Sequence, residues 1–379
     1  MMTADRNPSI PISSGGILTI DLNALKRNWH LLASKVGPAA TGAVVKANAY
    51  GLGIETVVPA LLSIGCQHFF VAHLSEAERV RALSATAEIF VLNGFLPGNG
   101  PIYRDLNLTP VLGSLAEIHH WRNFFGDHND APSAALHIDT GLNRLGLSPS
   151  EAVTISQANL DGNLGFSLCL LMSHFVESEI DGSATTKRQI EAFDQLRRMF
   201  PDIPASLCNS SGIFLCTESY YNLVRPGYAL YGGHPLWSSH DNPMEPVIRL
   251  EVPIVQTRYI GVGKHVGYGG FWTAHRPTRL ATLSIGYADG LPRGAESSQT
   301  KKGGDVLIGG TRCAMLGRVS MDLLIVDATD APDEALKPGS YATIIGDELT
   351  IDAVGDSAGT IGYDILVSLG TRYQRRVIG

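Results

Sequence analysis

Long apolar runs are missing from this 379-residue sequence. Nowhere do about 18 apolar residues stand together, the length that a membrane-spanning helix needs. The opening "MMTADRNPSIPISSGG" has neither the basic stretch nor the apolar core of a secretory signal, so the expectation is a cytoplasmic protein with no membrane partner. Cysteine is scarce: Cys66, Cys169, Cys208, Cys216 and Cys313 are scattered and odd in number. They fit small buried thiols in a reducing compartment better than a disulfide framework or a metal site. Positive charge is not in excess either, the formal net charge being −7. That argues against a nucleic-acid partner and confines any phosphate binding to a local cationic pocket.

What is present is ordinary globular material, 44% hydrophobic and 17% charged, in a chain long enough for two domains. From residue 22 to about 231, helix-period segments alternate with short apolar runs. The runs are "GAVVK" (42–46), "HFFVA" (68–72), "EIFVL" (88–92), "LTPVL" (108–112), "AALHI" (134–138), "FSLCLLM" (166–172), "ASLC" (205–208) and "LVR" (223–225). Between them lie helical candidates such as "IETVVPALLSIG", "LSEAERVRAL" and "TTKRQIEAFDQLRRMF". Eight strands with intervening helices predict an α/β fold, a closed (β/α)8 TIM barrel; a doubly wound open sheet is the alternative. The run "GILTIDL" (16–22) is left over from the eight, and its partner is sought in the second domain. Around "GGHPLWSSHDNPMEP" (232–246) the alternation stops in a connection-like stretch. Beyond it, "VIRLEVPIVQTRYI", "RLATLSI", "DVLIGG", "DLLIVDAT" and "YATIIG" predict a mainly β domain, with helices only at "IDAVGDSAG" and "YDILVSLGTRYQRR". The expected domains are 16–235 and 243–379.

Lys46 ends the first apolar run, which puts an amine at the C-terminal mouth of a barrel, where active sites of this fold lie. A partly desolvated amine there deprotonates readily and can form an imine with an aldehyde. Other strand ends offer Arg144, His174, Asn209, Ser210 and Arg225 to the same rim. Each has an ordinary structural use, as cap, ion pair or hydrogen-bonded core group, but all converge on one face. "NSSG" opening a short helix and "RPGYALYG" after the eighth run offer hydroxyls and backbone N–H groups where barrels bind phosphate. A lysine beside a phosphate cradle suggests pyridoxal 5'-phosphate.

Taken in order, "AVVKANAYGLG", "HIDTGLNRLG", "MSHF", "CNSSG", "VRPGYALYG", "VGYGGFWTA", "IGYADGLPR" and "GRVSMDLLIVD" resemble the alanine racemases, the barrel-type pyridoxal-phosphate enzymes. The resemblance spans roughly residues 16 to 376. It implies a cytoplasmic isomerase that interconverts L- and D-alanine, either supplying D-alanine as a peptidoglycan precursor or feeding L-alanine catabolism, and works as a head-to-tail homodimer with shared active sites. Lys46 resembles the family's Schiff-base lysine and Tyr268 its second catalytic base. Arg225 resembles the arginine on the cofactor's ring nitrogen, and His174 the histidine that links that arginine to the tyrosine. Arg144 resembles a contact to the tyrosine and the substrate carboxylate, with Met321 offering its N–H to the same carboxylate. Tyr50, Ser210, Gly227 and Tyr228 resemble the phosphate contacts, with Asn209 beside them. Tyr287, Arg293, Arg318 and Asp322 match positions near the substrate entrance or the carboxylate.

Two residues depart from the family pattern. His137 stands where many members carry a carbamylated lysine that props the arginine at position 144, so Arg144 must be held another way. Thr371 stands where many carry a phosphate-contacting tyrosine. Alternatives on the same scaffold are a broader amino-acid racemase, a pyridoxal-phosphate decarboxylase and a non-catalytic cofactor-binding barrel. The Lys46 and Tyr268 pair favours racemisation, because inverting an α-carbon needs a base on each face. "GRVSMD" favours alanine.

Overall fold

A computed structural model describes residues 15–125, 132–236 and 241–379. The chain forms two compact units: Leu22–Glu245, and the described residues through Asp21 together with Pro246–Gly379. Part of the expected connection, residues 237–240, lies outside the described residues.

The first strand of the chain, β1 (Ile17–Asp21), belongs to the second unit. Barrel strands follow as β2 (Ala40–Thr41), β3 (Ala43–Val44), β4 (His68–Val71), β5 (Glu88–Val91), β6 (Thr109–Leu112), β7 (Ala134–His137), β8 (Leu168–Met172), β9 (Ala205–Ser206) and β10 (Leu223–Val224). β3 to β9 pair in sequence order, all parallel. β10 pairs in parallel with β2, and the amides of Asn222 and Arg225 donate to the carbonyls of Ala205 and Cys208. Those bonds close the ring. The first barrel strand is thus β2 and β3 together, interrupted at Gly42, where a Cβ would press on His68 O and the Phe70 ring at 3.0 Å. Strands buried on both faces require near-continuous apolar runs. Phe69, Phe70 and Val71 of β4 and Ile89, Phe90 and Val91 of β5 supply them, with Phe70 and Phe90 stacked.

The second unit is built on β11 (Ile248–Ile260), β12 (His265–Val266), β13 (Trp272–Thr273), β14 (Thr278–Leu283), β15 (Asp305–Ile308), β16 (Thr311–Ala314), β17 (Leu324–Asp327), β18 (Tyr341–Ile345) and β19 (Gln374–Ile378). The first half of β11 alternates buried and half-buried residues, the pattern of a strand with one covered face. β1 lies between β11, antiparallel, and β19, parallel. The helix expected over "YDILVSLGTRYQRR" is corrected: it runs only over Gly362–Val367, and Gln374–Ile378 is strand. Pairing along β1 overrides the local helical pattern there. Among the described residues no helix is long and apolar enough to cross a membrane. All five cysteines are unpaired, and four are buried.

Candidate active site

Lys46 stands at the end of a buried run, Ala43, Val44 and Val45, and the four residues after it adopt an unusual backbone. Ala47, Asn48, Ala49 and Tyr50 have φ of 52°, 57°, 54° and 52°, a turn of left-handed helix without glycine. For such residues this conformation costs roughly 1–2 kcal/mol each. Backbone bonds offset part of the cost: Ala49 donates to Val45 (2.8 Å), Gly51 to Ala47 (2.9 Å) and Gly53 to Asn48 (2.9 Å). The Asn48 side-chain oxygen accepts from Ile54 N (3.3 Å) and Arg79 Nη2 (2.6 Å). The Lys46 side chain is half-buried. Burial first, then the neighbouring Arg144, hold its ammonium below the ordinary lysine range, and Glu76 opposes them.

Arg225 follows β10 and is buried. It donates to Ser206 Oγ and to the carbonyls of Ser173 (2.6 Å) and Leu207 (3.4 Å). Its pKa is lowered by burial to about 10, which leaves it charged at neutral pH. Among the described residues the guanidinium is taken by β9 and by Ser173, and its tie to His174 is electrostatic. Burial first, then the Arg225 charge, push the His174 imidazole down to about 3. The same two causes, in the same order, bring buried His137 to about 4.

Neutral His137 carries no charge with which to hold Arg144, and the backbone supplies the support. Leu147 N donates to His137 O (2.8 Å), and Asp139 N to Leu147 O (2.9 Å). Asp139 Oδ1 then accepts from Gly141 N (2.9 Å) and Asn143 N (3.1 Å). Arg144 sits exposed on this stitched loop. The buried imidazole gives stability a sign with pH. Its folded value is depressed, so the unfolded chain binds more protons between about pH 6.5 and 4, and stability falls as pH falls through that window. For His137 alone the full loss is of the order of 3 kcal/mol. Urea unfolding of wild type at pH 7 and pH 5 should show the decline, and His137→Asn should reduce it by about half, with buried His174 supplying the rest. An unchanged slope in the variant would show that His137 is not the source.

The candidate phosphate cradle joins three segments of the barrel unit. Asn209 caps the helix Ser210–Leu215, its Oδ1 accepting from Gly212 N (3.0 Å) and from Ser178 Oγ (2.8 Å). Ser210 Oγ accepts from both Gly227 N and Ala229 N at 3.1 Å. Tyr50 stacks on Tyr231 with ring centroids 4.6 Å apart, and Tyr231 donates to Val44 O (3.0 Å). A Cβ on Gly227 would fall 2.3 Å from the Tyr50 hydroxyl. Tyr228 is buried against Gly233, where a Cβ would meet its ring.

The remaining expected residues lie in the second unit. Tyr268 occupies the turn between β12 and β13, where Gly267, Gly269 and Gly270 have φ of 74°, 73° and 58°. It is 71% exposed, and Met321 is 53% exposed. Arg318 lies over the Phe271 ring (4.4 Å), Arg293 over Tyr287 (5.9 Å). The Tyr287 and Met321 loops are stitched together: Tyr287 N donates to Ser320 O and Ala288 N to Met321 O, both 3.0 Å. Asp322 does not stand free for substrate. Arg372 donates to it (2.7 Å) and holds buried Asp289 by two bonds (2.7 and 2.8 Å). Arg372, next to Thr371, is a residue that sequence reasoning missed; its only signal was a third arginine near "RYQRR".

Comparison with known proteins gives consistent matches. Family models described as "Alanine racemase, N-terminal domain" and "Alanine racemase, C-terminal domain" match residues 20–235 and 247–377. The chain is 51% identical over 367 residues to an alanine racemase of Methylobacterium nodulans, with 97% of each chain covered. It is 50% identical over 364 residues to one of Methylobacterium sp. strain 4-46, covering 96% of this chain and 98% of that one. Among solved structures it resembles an alanine racemase from Bartonella henselae with covalently bound pyridoxal phosphate. The TM-score is 0.90 and the identity 36%, over 96% of this chain and 100% of that one.

Proposed function

The chain belongs to the alanine racemase family and is a pyridoxal-phosphate-dependent isomerase that interconverts the enantiomers of alanine, and from that premise we propose that Lys46 and Tyr268 are its two bases. The observation that carries the proposal is Lys46 itself. Its amine is half-buried beside Arg144, in a turn whose backbone conformation is costly, and deprotonates more readily than an ordinary lysine.

The residues fit the cofactor. Without a side chain, Gly227 lets the Tyr50 hydroxyl come close to its backbone, and the Ser210 hydroxyl lies against the Gly227 and Ala229 N–H groups; this cluster of polar groups suits a phosphate. Tyr50, Ser210, Gly227 and Tyr228 would hold it there, with Asn209 fixing the helix. Arg225 would face the ring nitrogen; a guanidinium does not surrender its proton, so that nitrogen stays unprotonated. Bound pyridoxal phosphate supplies the electron withdrawal that acidifies the substrate α-proton. Lys46 exchanges that proton at Nζ on one face and Tyr268 at Oη on the other. Arg144 and the Met321 N–H orient the carboxylate, and neutral His174 sits beside Arg225 without adding a second charge. Tyr287, Arg293, Arg318 and Asp322 shape the approach, with Arg372 holding Asp322 in place.

The exposure of Tyr268 and Met321 supports a head-to-tail homodimer in which these residues complete a partner's site. Five unpaired thiols support a reducing, cytoplasmic setting.

Gly227→Ala tests the cradle. Tyr50 is buried and stacked, so it cannot yield freely to the added methyl, and overpacking of this kind costs about 1–3 kcal/mol. Cofactor affinity should drop roughly 10- to 100-fold, read by titrating the cofactor-free protein and following absorbance. Affinity within twofold of wild type would remove Gly227 from the cradle. The reaction is tested by α-proton exchange and inversion across a panel of L-amino acids. Alanine should be processed fastest, and equal rates across the panel would make this a broad racemase.

A further inference from the structure

The left-handed turn after Lys46 needs a hold from outside itself, and one buried carboxylate provides it. Glu76 lies in the first turn of the helix Leu74–Leu83 and is 8% exposed. Its Oε2 accepts from the amides of Ala72 (2.9 Å) and His73 (3.2 Å), in its own strand-to-helix loop. Its Oε1 accepts from Asn48 N (3.0 Å), in the preceding loop and two residues beyond Lys46.

The same device recurs two strands later. Glu117, in the first turn of the helix Leu115–Phe125, accepts on Oε2 from Gly113 N (2.8 Å) and Ser114 Oγ (3.2 Å). Its Oε1 reaches back to the preceding loop at Phe95 N (3.1 Å). In both places the carboxylate stands four residues after the first amide it takes, in "AHLSEA" (72–77) and "GSLAEI" (113–118). The barrel thus contains a short structural repeat that the sequence reading did not register. Glu117 reaches a loop without a reacting group, whereas Glu76 reaches the loop of the candidate base.

We propose that Glu76 is a positioning residue for Lys46, locking the left-handed turn that aims the amine and placing a negative charge that offsets Arg144. The proposal rests on the reading of Lys46 as the cofactor-linked base. Charge and geometry act together in it. The charges of Arg144 and Glu76 both act on the amine; Glu76 alone favours the ammonium, and His174, which is coupled to Lys46, is neutral. Arg79 assists from the same helix, donating to Asn48 Oδ1 and holding Glu55.

Glu117 provides the internal control. Glu76→Gln and Glu117→Gln each remove one carboxylate, buried in the first case and half-buried in the second, from an equivalent network, and both should lower the melting temperature. Only Glu76→Gln should change Lys46. In cofactor-free protein, the pH dependence of Lys46 acylation by acetic anhydride, read by peptide mapping, should shift down by roughly one pH unit in Glu76→Gln and stay in place in Glu117→Gln. In the holoenzyme, kcat should fall roughly 10- to 100-fold in Glu76→Gln with the acidic limb of its pH profile displaced. Glu117→Gln should keep kcat within twofold.

If Glu76→Gln does not fold, Glu76→Asp takes its place. It keeps the charge near Ala72 and His73 but is one methylene too short for Asn48, so acylation should titrate near wild type while kcat falls. Equal effects of the Glu76 and Glu117 variants on acylation and kcat, or full kcat in Glu76→Asp, would overturn the proposal. Borohydride reduction of wild-type holoenzyme separates the two readings. A label on Lys46 with equal Glu76 and Glu117 effects defeats the positioning role alone, whereas a label elsewhere defeats the Lys46 reading and this proposal with it.

Discussion

Lys46→Ala is expected to lose racemisation by about 10⁴-fold or more, since it removes both the covalent attachment of the cofactor and one of the two bases. The proposed phosphate cradle at Ser210, Gly227 and Tyr50 is untouched by the change, so the variant should still bind pyridoxal phosphate, more weakly and without a covalent link. Polarimetry or a coupled D-alanine assay reads the rate, and borohydride reduction reads the link. Wild type should carry the reduced label on the Lys46 peptide, and the variant nowhere. Appreciable turnover in Lys46→Ala, or a label on Lys264 in wild type, would reject Lys46 as the attachment point.

Mixing two inactive variants should restore activity. In the proposed head-to-tail dimer each site takes Lys46 from one copy and Tyr268 from the other, and a two-fold axis makes two such sites. Lys46→Ala and Tyr268→Phe chains combined with free exchange give mixed dimers with one site that has both bases and one that has neither. With about half of all dimers mixed, recovery should approach roughly a quarter of wild-type activity. The exposed position of Tyr268 on the glycine-rich turn between β12 and β13 motivates the experiment. If tagged subunits exchange and the mixture remains inactive, both bases come from one chain.

Much of the barrel was legible because its strands are buried on both faces and therefore read as short apolar runs. The interruption at Gly42 was not, since it reflects a close approach of His68 and Phe70 across the ring. The run at 16–22 was visible as a strand, but nothing local identifies neighbours as remote in sequence as β11 and β19. Rim residues could be found because strand ends mark the rim. Their supports were hidden for a different reason. Ala47, Asn48, Ala49 and Tyr50 carry no glycine to announce a left-handed turn. Glu76 looks like an ordinary first-turn acid until its reach to Asn48 is known. Arg372 likewise reads as one more surface arginine, and only the fold brings Asp289 and Asp322 to it. The bonds that hold Arg225 were hidden in the same way, since its guanidinium donates to Ser206, Ser173 and Leu207, which only the fold brings to it.

The place of β1 between β11 and β19 has a consequence for how the protein is made. During synthesis β1 leaves the ribosome before any of the barrel, yet its antiparallel neighbour follows only after the whole barrel has been translated, and its parallel neighbour later still. Through that interval Leu18 and Ile20, which end fully buried, have no sheet to join. The nascent chain must carry an apolar strand unpaired while the neighbouring unit folds, which makes this segment the natural place for a chaperone to bind or for two chains on one polysome to mispair. The barrel, by contrast, has its full complement of strands as soon as Val224 emerges, and can close while the second unit is still being translated.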